Sequence, residues 1–164
     1  MKDIDNPKSI DFTLDLKPYL HKYATNQAGK KRLMVRAGSE YGQYIIKNAT
    51  HPSKGWRPED VPVTRQFNLR MHKEDFVNAG RGMCLAPIHL EFLAKMVEKD
   101  FWLQFYEFVL ERRIKYGEKE VVSIRKFRHH FDISEDEYLE ESMYRRFRRI
   151  KDRRVKLVHT GFDE

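Results

Sequence analysis

The run from Phe101 to Ile114 constrains this chain more than any other feature. Phe101, Trp102, Phe105, Tyr106, Phe108, Val109, Leu110 and Ile114 fall at helical spacing, and apolar residues surround the helix almost completely through Val109. A helix of that kind needs partners on several sides, so it is expected at the centre of the fold. Pro87 opens a preceding helix bearing Ile88, Leu90, Phe92, Leu93, Met96 and Val97, and Asp100 stands where the N-cap of the central helix would be. Gly117 follows basic Arg112, Arg113 and Lys115 and reads as its C-terminal stop.

Two amphipathic segments follow that can cover this helix. Glu120-Val121-Val122 reads as a short extended piece, and Ser123 as the N-cap of a helix reaching Phe131. Ile124, Phe127 and Phe131 share one face of that helix. Asp132-Ile133 is expected to make a tight connection, after which Ser134-Glu135-Asp136-Glu137 has the pattern of a capping box. The last helix carries the stripe Leu139, Met143, Phe147 and Ile150, and Val155 to Val158 alternates weakly, as a final strand would. Both stripes are expected to pack on the Phe101–Ile114 helix.

Two helices joined by a turn of about three or four residues, the second one basic, make the helix-turn-helix arrangement. Its second helix enters the major groove while the first crosses the backbone. Between Glu141 and Leu157 lie eight cations, namely Arg145, Arg146, Arg148, Arg149, Lys151, Arg153, Arg154 and Lys156, against two acids. Arg125, Lys126 and Arg128 on the preceding helix add to them. The helix macrodipole accounts for two or three cations in a last turn, and pairs such as Glu141 with Arg145 use up some charge. Eight cations running past the helix end exceed both effects and mark a phosphate-contacting surface. The acidic start (Glu135, Asp136, Glu137, Glu140, Glu141) would repel phosphate, so contact is assigned to the C-terminal end and the basic segment beyond it.

Leu103-Gln104-Phe105-Tyr106-Glu107-Phe108-Val109, Val122-Ser123-Ile124-Arg125-Lys126-Phe127, Phe131-Asp132-Ile133-Ser134 with Tyr138, and Arg145-Arg146-Phe147-Arg148-Arg149-Ile150 occur in that order. This succession resembles the first winged helix of plasmid-type replication initiator proteins. That family has a "YELL"-like helix, a Ser- or Thr-introduced short helix, an "LGI-x-x-x-Y" connection and a helix ending in basic residues. Phe131-Asp132 stand where the family has Leu-Gly. The resemblance spans residues 103–156 and implies a winged-helix module with DNA as its partner.

The N-terminal half is less regular. Residues 1–10 are polar, broken by Pro7, and read as a mobile arm. Phe12, Leu14 and Leu16 alternate like a strand, whereas Tyr19, Leu20 and Tyr23 after Pro18 fit a helical face, so the period there stays open. Leu33-Met34-Val35 and Tyr44-Ile45-Ile46, flanking Gly38 and Gly42, suit a short hairpin. Residues 48–63 form a turn-rich loop with Pro52, Gly55, Pro58 and Pro62 around Trp56. Phe67, Leu69 and Met71 alternate, and Asp75-Phe76-Val77 before Gly80 and Gly82 can close a short helix. The expected class is mainly α within α+β. It comprises an arm (1–10), an irregular, partly extended region (11–84) and a helical, winged-helix-like domain (85–164).

The formal charge of +7 suits polyanionic partners. The single cysteine, Cys84, precludes an intramolecular disulfide, and no apolar run approaches the ~20 residues of a membrane helix, so an intracellular, cytoplasmic or virion-borne protein is expected. His129-His130-x-Asp132 lacks a matching ligand pair, Ala79-Gly80-Arg81-Gly82 lacks the ending of a P-loop, and Cys84 has no base beside it. No cofactor, metal or enzymatic activity is therefore assigned. The first functional expectation is a DNA-binding protein in replication or transcription control. The others are an assembly component of a virion or nucleoprotein complex, docking through the arm and the 48–63 loop or forming homo-oligomers, and an RNA binder using its aromatics.

Overall fold

The computed structural model describes residues 8–30, 32–52 and 65–159, with side chains through Arg153. It is mainly helical with one small sheet, and the chain divides into two compact units, residues 1–98 and 99–164. The elements in order are β1 (Ser9–Asp15), α1 (Pro18–Ala28), β2 (Arg32–Met34), α2 (Glu40–Asn48), β3 (Gln66–His72), α3 (Lys73–Asn78), α4 (Pro87–Tyr116), α5 (Glu120–His130) and α6 (Glu140–His159). α4 begins in the first unit and ends in the second.

In the first unit β3 is the central strand, antiparallel to β1 and parallel to β2. The register sets Ile10 opposite Met71, Phe12 opposite Leu69 and Leu14 opposite Phe67. All of these but Ile10 are buried, so the period-2 pattern places one apolar face of the sheet in the core. The other face is polar. Arg70 grips Asp11 through two hydrogen bonds of 2.5 Å, and Thr13 donates to Asn68 at 2.9 Å. Both readings left open for residues 11–23 therefore hold in turn, a strand through Asp15 and then a helix with Pro18 at its start.

Several expectations for this half are corrected. Ser9 and Ile10 are strand residues, not part of an arm; residues 1–7 lie outside the described residues, as do 53–64, which include Trp56 and most of the expected loop. The Leu33–Ile46 segment is no hairpin. Leu33 and Met34 pair with β3 far along the chain, and Tyr44-Ile45-Ile46 lie in α2, where the Ser39 hydroxyl caps the helix by accepting from the Gly42 N–H at 3.1 Å. Gly42 is required there because a Cβ would lie 2.0 Å from the Arg36 carbonyl oxygen. The region expected to be irregular thus contains three helices, α1, α2 and α3.

The second unit is built as its apolar stripes require. Phe127 is fully buried, with ring centroids 5.6 Å from Phe101, 5.1 Å from Phe105, 5.4 Å from Phe108 and 4.7 Å from Phe131. Phe147 meets Phe105 at 6.2 Å and Tyr106 at 5.4 Å, beside the fully buried Met143. α4 ends in the expected glycine, with Gly117 at φ 62° and its N–H bonded to the Arg113 carbonyl.

Local details differ from expectation. Asp100 is not an N-cap, since α4 continues through it. Glu120–Val122 form the first turn of α5 rather than an extended piece, and Ser123 is buried inside the helix, donating to Glu118 at 2.8 Å. The Ser134 N–H does donate to the Glu137 carboxylate at 3.0 Å, but α6 starts only at Glu140, whose N–H donates to Glu135 at 3.2 Å. Leu139, just before α6, is exposed and drops out of the stripe. The α5–α6 connection occupies residues 131–139, longer than a three- or four-residue turn. Val155–Val158 is helical, and no strand occurs among the described residues of this unit.

Candidate nucleic-acid interface

α6 presents three faces. Met143 and Phe147 point into the core with Ile150 beside them. Roughly 100° round the helix lie Tyr144, Arg148 and Lys151, and turned away from the core lie Arg145, Arg149 and Arg153 at four-residue spacing. Those three arginines are exposed. Arg145 holds Glu141 at 2.5 Å, whereas Arg149 and Arg153 have no ion-pair partner among the described residues. Arg146 does not belong to the row. Its guanidinium lies 4.3 Å from the Trp102 ring centroid and packs on the core edge.

Part of the acidic start of α6 is paired within the unit. Arg125 reaches Glu140 at 3.0 Å, and Arg128 pairs with Glu135 and lies 3.5 Å from Glu140. The Glu140 N–H and, secondly, Arg128 hold the Glu135 carboxyl below its ordinary range. Arg128 is buried, so its assignment to a nucleic-acid surface is withdrawn: it fastens α5 to the start of α6. Lys126 is engaged with Glu118, which Arg112 also grips at 2.6 Å. The bonds from Arg112, Lys126 and Ser123 bring the Glu118 carboxyl down to about 2.

The second face of α6 lines an open cleft of about 780 Å³ with the C-terminus of α4 and the N-terminus of α5. Glu120 stands in it as a hub. Its carboxylate accepts Arg113 at 2.8 Å and Lys151 at 3.0 Å, and Arg148 lies 3.6 Å away. Arg148 also donates to the Tyr144 hydroxyl at 3.0 and 2.8 Å. Arg125 and Lys119 complete the cationic lining. Sequence reasoning attributed Arg113 to the helix dipole and passed over Lys119. Only the Gly117 turn, which folds α5 back beside the end of α4, brings them to Arg148 and Lys151.

Of the remaining expected contacts, Arg154 and Lys156 have side chains outside the described residues. No cluster of three or more metal-ligating side chains occurs among the described residues. Cys84 is half-buried, its thiol pushed up by burial and its backbone bridged to Thr50, as suits a structural residue. Among the described residues no helix is long and apolar enough to cross a membrane.

No protein-family model, curated protein or solved structure matches this chain.

Proposed function

We propose that this chain is a non-enzymatic nucleic-acid-binding protein that grips the phosphate backbone of duplex DNA with the outward face of α6. The observation that carries this reading is the exposed row Arg145, Arg149 and Arg153. Four residues of helix rise about 6 Å, so the row presents guanidinium groups over about 12 Å. Phosphates follow one another every 3.4 Å of axial rise along each strand, and a row of that length meets several of them. Arginine suits the contact, because its planar fork bonds phosphate bidentately. A helix about 10–12 Å across also fits a major groove about 12 Å wide.

Of the acids before and at the start of α6, Glu135 and Glu140 are already engaged by Arg128 and Arg125, while Glu141 competes with phosphate for Arg145. The winged-helix assignment and the role in replication remain part of the proposal and rest on the resemblance of residues 103–156. The decisive binding experiment titrates labelled duplex DNA with wild type and with Arg145→Ala/Arg149→Ala/Arg153→Ala, followed by fluorescence anisotropy. The reading expects the variant to stay folded and lose most of its affinity. Tighter binding to single-stranded RNA than to duplex DNA would move the ligand class, and undiminished binding by the variant would refute the reading.

An assembly role is the second reading, favoured by one observation. Ile88 and Phe92, four residues apart on one face of α4, are 63% and 47% exposed, an apolar strip suited to a protein partner. A defined oligomer of nuclease-treated protein in sedimentation supports it; a monomer across the concentration range counts against it.

A further inference from the structure

The Glu120 cleft carries more positive charge than its own acids use. One carboxylate serves Arg113 from α4 and Arg148 and Lys151 from α6. The other acid lining the cleft, Glu118, is occupied by Arg112 and Lys126, neither of which lines it. Lys119, at the rim, is exposed. The cationic groups converge on a single oxyanion at the N-terminus of an eleven-residue helix, where the helix dipole also favours an anion. We propose that this cleft seats a phosphate of the nucleic-acid backbone, and that Glu120 occupies the seat in the free protein as an internal competitor. This inference rests on the nucleic-acid reading of α6.

The size and walls of the cleft select a polymer phosphate over a free ion. A volume of about 780 Å³ far exceeds what one phosphate group needs. Half-exposed Val121 and Val122, with Tyr144, provide a surface on which a sugar can rest beside its phosphate. The cleft also lies next to the Arg145–Arg149–Arg153 row, about 100° round the same helix, so a backbone held by the row passes its mouth. A carboxylate carries one charge and two oxygens, a phosphodiester one charge and two free oxygens. Exchange of one for the other leaves the cations paired and releases Glu120 to solvent.

The test uses the full chain and labelled duplex DNA in anisotropy titrations over a range of salt. Glu120→Gln keeps the shape of the side chain and removes its charge. It should bind several-fold more tightly at each salt concentration, with the slope of log K against log salt little changed, because the same phosphate is seated without its competitor. Arg148→Ala/Lys151→Ala should bind more weakly, its slope shallower by about 0.9, the one seated phosphate. Lys119→Glu, at the rim and outside the Glu120 pairs, should weaken binding several-fold and keeps the question open to test if Glu120→Gln does not fold. Loss of binding in the arginine-row variant together with unchanged binding in all cleft variants overturns this inference and spares the reading of α6. A wild type that does not bind duplex overturns both. Inorganic phosphate provides the remaining arm: if it raises the melting temperature of wild type but not of Arg148→Ala/Lys151→Ala, while duplex affinity is the same in both, the cleft takes free phosphate and the proposal fails.

Discussion

The rings of Phe105 and Phe127 meet edge to face with their centroids 5.1 Å apart, and both side chains are fully buried. This contact joins α4 to α5, and Phe147 joins α6 to the same Phe105 ring. Truncating either outer ring leaves a cavity that rigid helices cannot collapse. Phe127→Ala and Phe147→Ala should each cost about 3–5 kcal/mol in chemical denaturation. Losses below about 0.5 kcal/mol, the range of surface substitutions, would mean that the aromatic cluster does not hold this unit together.

Glu118 makes stability depend on acid. Its carboxyl ordinarily titrates at 4.5 and in the folded chain at about 2, held down first by Arg112, then by Lys126 and Ser123. A carboxyl depressed by folding contributes stability that is fully present above its unfolded value and fades as pH falls through its folded value. Glu118→Gln should therefore melt below wild type by a constant margin above about pH 5, with the margin closing between about pH 4.5 and pH 2. A margin that stays constant down to pH 2 would show that these bonds do not favour the charged form.

Gly82 tests the packing of the first unit. A Cβ there would lie 2.0 Å from the carbonyl carbon of Thr50, whose backbone exchanges hydrogen bonds of 2.9 and 3.0 Å with Cys84. Backbone cannot yield as a side chain would, so Gly82→Ala should destabilise by about 1–3 kcal/mol or more. Gly80 is the contrast. Its φ of 62° strains any other residue, yet nothing lies within 4 Å of its Cβ position, so Gly80→Ala should cost only about 1–2 kcal/mol. Equal losses at both sites would argue against the close approach at Gly82.

What was legible in the sequence was local. The alternation of Phe12, Leu14 and Leu16, the stop at Gly117 and the Ile124–Phe127–Phe131 face each follow from neighbours a few residues apart. Leu33 and Met34 read as half of a hairpin, yet their partner strand lies more than thirty residues downstream, and no local pattern announces a parallel pairing. The site failed to show for a related reason. Arg125 and Arg128 looked like free cations in the chain, but the α5–α6 connection returns Glu135 and Glu140 to them. Asp132 takes the left-handed conformation that glycine favours, at φ 54°, which no local pattern around an aspartate announces. The bonds from the Asp132 N–H to the His129 carbonyl and from the Ile133 N–H to the Arg128 carbonyl close α5 with a Schellman motif.

The central claim is that α6 meets duplex DNA through Arg145, Arg149 and Arg153, and salt dependence tests it most directly. Affinity for one duplex is measured for wild type and the triple alanine variant between about 50 and 200 mM salt. If each arginine neutralises one phosphate, the slope of log K against log salt should become shallower by about 2.7, at 0.9 per contact. Melting temperature should barely move, because the three side chains are exposed and, among the described residues, only Arg145 holds an ion-pair partner, Glu141. Indistinguishable slopes in two folded proteins would contradict the account.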